Sequence, residues 1–205
     1  ITTPINAAQD VTELLDASGF ASVLRTTTVQ TLFTENWESE TDQTADATYR
    51  VNYGVTLDNW NVLGGNIDVL QTGNSYASVQ DHWLDMEGGA VNGVIETKQA
   101  FNLEAGKSYM LIYDHSSNLC CGANANQLRV ELGAFSEVFN SPQDFLETND
   151  RQAIIYTPNV DETVKIKFTA LGSPDGGGPV LDNIEFLEVT GDFSINNGSS
   201  ATCGV

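Results

Sequence analysis

Three observations predict an all-β fold, an antiparallel sandwich or jelly roll. Apolar residues recur with period two in nearly every run after residue 20, the runs are short and separated by Gly, Asn, Asp and Ser, and a convincing helical period occurs only near the start. The 205 residues suffice for one β-rich domain with a sizeable core.

The first element is a short helix in AAQDVTELLDASG, where Val11, Leu14 and Leu15 make an apolar stripe and Gly19 can close the C-terminus. The run FASVLRTTTVQTLF follows. Its Val23, Arg25, Thr27, Val29 and Thr31 alternate with Leu24, Thr26, Thr28, Gln30 and Leu32, so both faces carry apolar residues and the strand needs a partner sheet. Helix and strand form an N-terminal arm over residues 1–31. Its partner is either its own sandwich or an open sheet edge of a neighbouring copy.

The sandwich itself is expected over 32–190. In ATYRVNYGV, the residues Ala47, Tyr49, Val51, Tyr53 and Val55 share one face of a half-buried antiparallel strand. Trp60 with Val62, Ile67 with Val69, and Ile95 through Phe101 to Leu103 mark the next strands. EAGK then turns the chain into SYMLIYDH, where Tyr109, Leu111 and Tyr113 alternate with Met110 and Ile112. Both faces are apolar, which predicts a central strand, joined as a hairpin to the run before it. QLRVEL, TVKIKFTA and PVLDNIEFLEV bring the total to roughly nine or ten strands. SPQDFLETND carries the signals of a second short helix, with Ser141 as N-cap and Pro142 at the first helical position. Residues 191–205 read as a tail, in which Asn197-Gly198-Ser199 is a glycosylation candidate at Asn197.

The 28 acidic residues against 8 Lys and Arg give a net charge of −20. That charge repels nucleic acid and anionic membrane surfaces and suits divalent cations, cationic surfaces or a salty habitat. No apolar run reaches the about 18 residues that a membrane span needs, and the chain, beginning at Ile1, reads as a mature exported one. Three cysteines fit an oxidising compartment. Cys203 can pair with either Cys120 or Cys121, leaving one thiol for a second chain, although three reduced thiols are the other reading. The two histidines, His82 and His115, stand in no nucleophile-elbow or zinc-protease motif, and no lysine follows the glycines of SPDGGGP, so the chain reads as non-catalytic.

In GGGPVLDNIEFLEV a carboxylate and a carboxamide, Asp182 and Asn183, interrupt an apolar run behind a glycine-rich turn. Together with NWES, DNWNVLGGNIDVL, HWLDMEGG, AFNLEAGKSYMLIYDHSSN and FTALGSPDGGGPVLDNIEF, this stretch resembles the galactose-binding-like jelly rolls of secreted bacterial and plant cell-wall proteins, and touches the jelly-roll carbohydrate-binding modules, over Leu32 to Val189. The resemblance implies a structural calcium shared by an acidic residue of the first strand and an Asp of the last, here Glu38 and Asp182. Ca²⁺ takes six to eight oxygens, which two carboxylates and backbone carbonyls can supply. Asn183 would satisfy buried backbone groups. The chain departs from the pattern at FTENWES, where Trp37 holds the aromatic place, and at Glu87 of HWLDMEGG, where a neutral amide or Asp is commoner.

The resemblance also implies glycan binding, which needs an aromatic platform and polar side chains for the hydroxyls. Of Trp37, Trp60 and Trp83, the candidate is Trp83, flanked by His82 and Asp85; core packing is the competing role. Two readings of function follow. One is a secreted structural subunit of an extracellular filament or matrix, joined to copies of itself by strand addition through the arm and stabilised by calcium. The alternative is a carbohydrate-binding, lectin-like module whose partner is an extracellular polysaccharide.

Overall fold

The computed structural model describes residues 21–22, 28–40, 48–70, 82–118, 126–142, 151–190 and 195–196. In chain order their strands are β1 (Ala21–Ser22), β2 (Thr28–Glu35), β3 (Thr48–Asn52), β4 (Trp60–Gly64), β5 (Asn66–Leu70), β6 (Trp83–Asp85), β7 (Val94–Thr97) and β8 (Phe101–Leu103). They continue with β9 (Ser108–Ser117), β10 (Gln127–Leu132), β11 (Phe135–Asn140), β12 (Arg151–Tyr156), β13 (Glu162–Val164), β14 (Ile166–Leu171), β15 (Pro179–Thr190) and β16 (Ile195–Asn196).

Two antiparallel sheets face each other. One has five strands in the order β11-β10-β14-β7-β4; the other has seven, β12-β9-β15-β6-β5-β3 with β2 also beside β15. Consecutive strands pass repeatedly between the sheets, in the winding of a jelly roll. Period-two alternation builds the interior: Leu128, Val130 and Leu132 of β10 and Ile166, Phe168 and Ala170 of β14 turn inward and are buried. They meet Leu111, Tyr113, Leu181 and Phe186 of the larger sheet. Aromatic rings fill the centre, with Phe33 edge-on to Trp60 at 5.6 Å and Phe101 edge-on to Phe186 at 5.0 Å. β9 is a central strand as expected, since β12 and β15 take both its edges and both its faces are buried.

Three expectations are corrected. β8 does not form a hairpin with β9 but pairs with β13, because β9 has no edge left to offer. The turn at 104–107 exists, with Lys107 N–H bonded to the Glu104 carbonyl at 3.2 Å, but a turn does not choose a partner. β3 ends at Asn52, so Tyr53 and Val55 leave the face that Val51 buries. The described ends of the long N-terminal run have different partners: β1 pairs with β16, and β2 joins β15 of its own sheet, with Phe33 opposite Phe186, while residues 23–27 between them lie outside the described residues. The helix expected at 7–19 lies outside the described residues, as does nearly all of SPQDFLETND. Among the described residues no helix is long and apolar enough to cross a membrane.

Candidate functional site

One end of the sandwich gathers the glycine-rich loop 172–178, the β6–β7 connection and the β4–β5 turn. The loop's backbone N–H groups form a cradle of the kind that binds anions. Here the anions are internal. Glu87 accepts the N–H of Gly176 and a second bond from the Asp175 backbone, while Asp85 Oδ1 accepts Gly178 N–H at 3.1 Å and Glu87 N–H at 2.8 Å. Asn118 donates its carboxamide to Asp85 Oδ2 at 2.6 Å, and Asn126 donates to the Gly177 carbonyl at 2.7 Å. Gly178 is required by space, since a Cβ there would stand 2.4 Å from Glu87 Cβ. Burial raises the Asp85 carboxyl to about 7 against the pull of its three donors, with the charge of Asp68 adding to the rise. Glu87 is shifted upward in the same way, by burial first.

Asp85 is therefore a buried anchor of this loop. Trp83, two residues earlier on β6, is 1% exposed and packs with Leu70 and Val180, so its ring presents no face to a sugar. The sequence could not show this because β6 lies inside the sheet, between β15 and β5. His82 is turned elsewhere: its backbone N–H and ring Nδ1 meet Glu38 at 2.6 and 3.0 Å. Burial works to raise the Glu38 carboxyl, but the hydrogen bonds and charge of His82 outweigh it and the group is shifted down.

Asp182 has a different setting. It faces Asp114 of β9 directly across the ladder, and Asn183 donates its carboxamide nitrogen to Asp114 Oδ2 at 2.8 Å and to Asp182 Oδ2 at 3.3 Å. Asn183 sits at a break in register with φ 47°, a conformation Asn tolerates better than most residues. The carboxamide thus bridges two like-charged carboxylates across the strands. Among the described residues no group of three or more His, Cys, Asp or Glu side chains is placed to hold a metal. Cys120, Cys121, Cys203 and Asn197 lie outside the described residues.

Two further buried polar centres were not anticipated. Glu35, at the end of β2, accepts Asn36 N–H, Trp37 N–H, Asn59 Nδ2 and Trp60 Nε1 at 3.0 to 3.2 Å, joining the β2 end to the start of β4. His115 Nε2 lies 2.7 Å from Ser141 Oγ, with both residues buried. Among the described residues its Nδ1 has no hydrogen-bond partner, and burial lowers the imidazole to about 4. Among the described residues no carboxylate is bonded to this imidazole.

The accessible chemistry lies where the edge strands β3 and β4 approach. Tyr53 is 68% exposed, and among the residues whose side-chain burial is described it is the one exposed aromatic. Val55, Leu63 and Val91 are exposed as well. The backbone explains the grouping: Gly54 N–H bonds the Val62 carbonyl at 3.2 Å, Val62 N–H bonds the Val55 carbonyl at 3.3 Å, and Asn52 stands opposite Asn66. Gly65, at φ 65°, lies so close to the Asn92 backbone that a Cβ would overlap its carbonyl oxygen. Glycines thus draw the 52–56, 63–66 and 88–93 loops together, and Asn52, Asn61 and Asn66, on or next to these loops, are partly or fully exposed. The signal for Tyr53 was its setting, Asn-Tyr-Gly, which marks a turn more than a strand.

No family model matches the chain, and no curated protein matches it. Solved structures do. The CBM22-1 xylan-binding domain of Xyn10C from Paenibacillus barcinonensis superposes with a TM-score of 0.44 at 11% identity, covering 80% of this chain and 97% of that one. TmCBM61 in complex with β-1,4-galactotriose gives 0.41 at 13%, covering 67% and 90%. The enzymatically active domain of tailspike protein 4 from bacteriophage CBA120 gives 0.42 at 12%, covering 74% of this chain and 20% of that one. At these scores the likenesses identify neither a family nor a ligand for this chain.

Proposed function

We propose that this domain is a non-catalytic carbohydrate-binding module that works outside the cell, with a polysaccharide as its partner. The observation that carries the reading is Tyr53, exposed on a set of linked loops that also carry the exposed Val55, Leu63 and Val91. A sugar ring offers an apolar C–H face and a rim of hydroxyls. An exposed phenol ring on loops that also expose aliphatic side chains suits the first, and the amides of Asn52, Asn61 and Asn66 suit the second. The net charge of −20 favours a neutral glycan over a polyanionic one.

The filament reading has less support. Strand addition needed the arm for a neighbouring sheet, whereas the described parts of that run, β1 and β2, pair with β16 and β15 of the same chain. Retention on insoluble neutral polysaccharides, such as xylan, galactan and cellulose, compared between the native chain and Tyr53→Ala, tests the proposal. Retention on at least one polymer that Tyr53→Ala abolishes, with the melting temperature unchanged, is the expected result. Equal retention of both chains, or none on a full panel of neutral glycans, would overturn it.

A further inference from the structure

The turn 88–91 between β6 and β7 is strained and exposed. Gly89 and Ala90 both have left-handed backbones, at φ 61° and 59°, and Gly89, Ala90 and Val91 all face water. Glycine adopts that conformation freely, whereas alanine does not and has no polar side chain to bond the backbone in compensation. Such strain persists only where the surroundings impose it. Here they act on the feet of the turn, Glu87 and Asn92, which face each other in an isolated antiparallel bridge. The buried Glu87 carboxylate accepts Gly176 N–H, and the Asn92 carboxamide donates to the Gly172 carbonyl at 3.1 Å. Gly88 N–H and Gly93 N–H bond the Asn66 and Met86 carbonyls at 2.9 and 2.7 Å. These bonds fix a turn whose tip leaves Val91 44% exposed.

We propose that this turn is the second wall of the polysaccharide site, with Val91 touching the ligand and Glu87 and Asn92 as the residues that position it. The inference rests on the reading of Tyr53 given above. Asn66 joins the two walls: it stands opposite Asn52, the neighbour of Tyr53, and its carbonyl accepts Gly88 N–H. Gly65 lies against the Asn92 backbone, where a Cβ would come within 1.8 Å of the carbonyl oxygen, so the two loops have no room to slide. β5 lies between β3 and β6, which puts Asn52 and Gly88 two strand spacings, about 10 Å, apart. A ligand that meets both Tyr53 and Val91 is therefore a run of sugars within a polymer and not a single ring.

A double-mutant cycle tests the assignment, read by depletion isotherms on whichever of xylan, galactan and cellulose retains the native chain. Val91→Ser removes apolar contact from an exposed position and is expected to weaken retention about fivefold without moving the melting temperature. Glu87→Ala is expected to weaken retention by a similar factor and to lower the melting temperature. Because Glu87 acts through the turn, adding Glu87→Ala to Val91→Ser lowers the melting temperature again but weakens retention no further. Should Glu87→Ala fail to fold, Asn92→Ala takes its place in the cycle. Native retention in Val91→Ser or in the positioning variant, or a full second loss in the double variant, overturns the proposal; a loss in Tyr53→Ala alongside leaves the Tyr53 site standing. Soluble sugars test the length: a tetrasaccharide of the retaining polymer is expected to displace the native chain about tenfold better than its monosaccharide, and equal displacement overturns the two-walled site. A native chain retained on no neutral polymer removes the Tyr53 reading and this inference together.

Discussion

The carboxylate of Asp85 holds the backbone N–H of Gly178 at 3.1 Å, across 93 residues of sequence. With Glu87 on the N–H of Gly176, it makes a glycine-rich loop that resembles an anion site into an internal fastening. The loop follows β14 and leads into β15, the strand that pairs with β9, β6 and β2. Pinning the loop therefore fixes where the most extensively paired strand of the fold begins.

Gly178→Ala tests the fit of that loop. The added methyl would meet Glu87 Cβ at 2.4 Å and Asp85 Oδ1 at 2.8 Å, so the backbone must move and the three-donor arrangement on Asp85 loosens. A loss of about 2–3 kcal/mol in denaturant unfolding is expected. Gly106→Ala is the comparison: nothing lies within 4 Å of its Cβ, but φ is +79°, and a strain cost of about 1 kcal/mol is expected. Equal costs at the two positions would contradict the steric account.

Asp85 makes stability depend on pH in a definite direction. Its carboxyl rises from 3.8 to about 7 on folding, chiefly by burial. Between those values the folded state holds the proton that the unfolded state has lost, so this group's contribution falls as pH rises from about 4 to about 7 and is level outside that window. Asp85→Asn, whose amide keeps an acceptor for Gly178, removes the dependence. The difference between the native and variant stability curves should slope by about 1 kcal/mol per pH unit within the window. A flat difference would show that the three donors keep Asp85 ionised.

Trp83 and Tyr53 separate the two possible platforms. Trp83→Ala empties a buried site among Leu70 and Val180 and is expected to cost about 3–5 kcal/mol in stability. Tyr53→Ala removes an exposed ring and should leave unfolding within about 0.5 kcal/mol of the native chain. A Trp83→Ala chain that melts normally but no longer binds polysaccharide would return the site to Trp83.

Glu35 is the tightest polar node between the β2 end and β4. Replacing it by Ala leaves two backbone N–H groups, the Asn59 amide and the Trp60 indole N–H without their acceptor, and a loss of about 3 kcal/mol or more is expected. Glu104→Ala, which removes an exposed partner of Lys107, should cost no more than about 1 kcal/mol. Thermal or urea unfolding of the two variants gives the comparison.

Much of the fold was legible because it depends on local order. The period-two runs around Leu128, Ile166 and Phe186 say strand wherever they occur, and the two-sided apolar run Tyr109 to Tyr113 says central strand, since both faces must be buried. Strand partners were not legible in the same way. The turn before β9 suggested a hairpin with β8, but the choice was made by β12 and β15, which are distant in sequence and occupy both edges of β9.

The site divides along the same line. Sequence alone determined the acidic charge, the strand content and the residue types a sugar would need; it singled out Asp182 and Asn183 without saying what they do. Only the tertiary structure decided that Asn183 bridges Asp182 to Asp114, that Trp83 faces a buried layer and that Tyr53 faces water. The physical reason is that periodicity depends on neighbours a few positions apart, whereas burial and hydrogen-bond partnership depend on which distant strands and loops close over a residue.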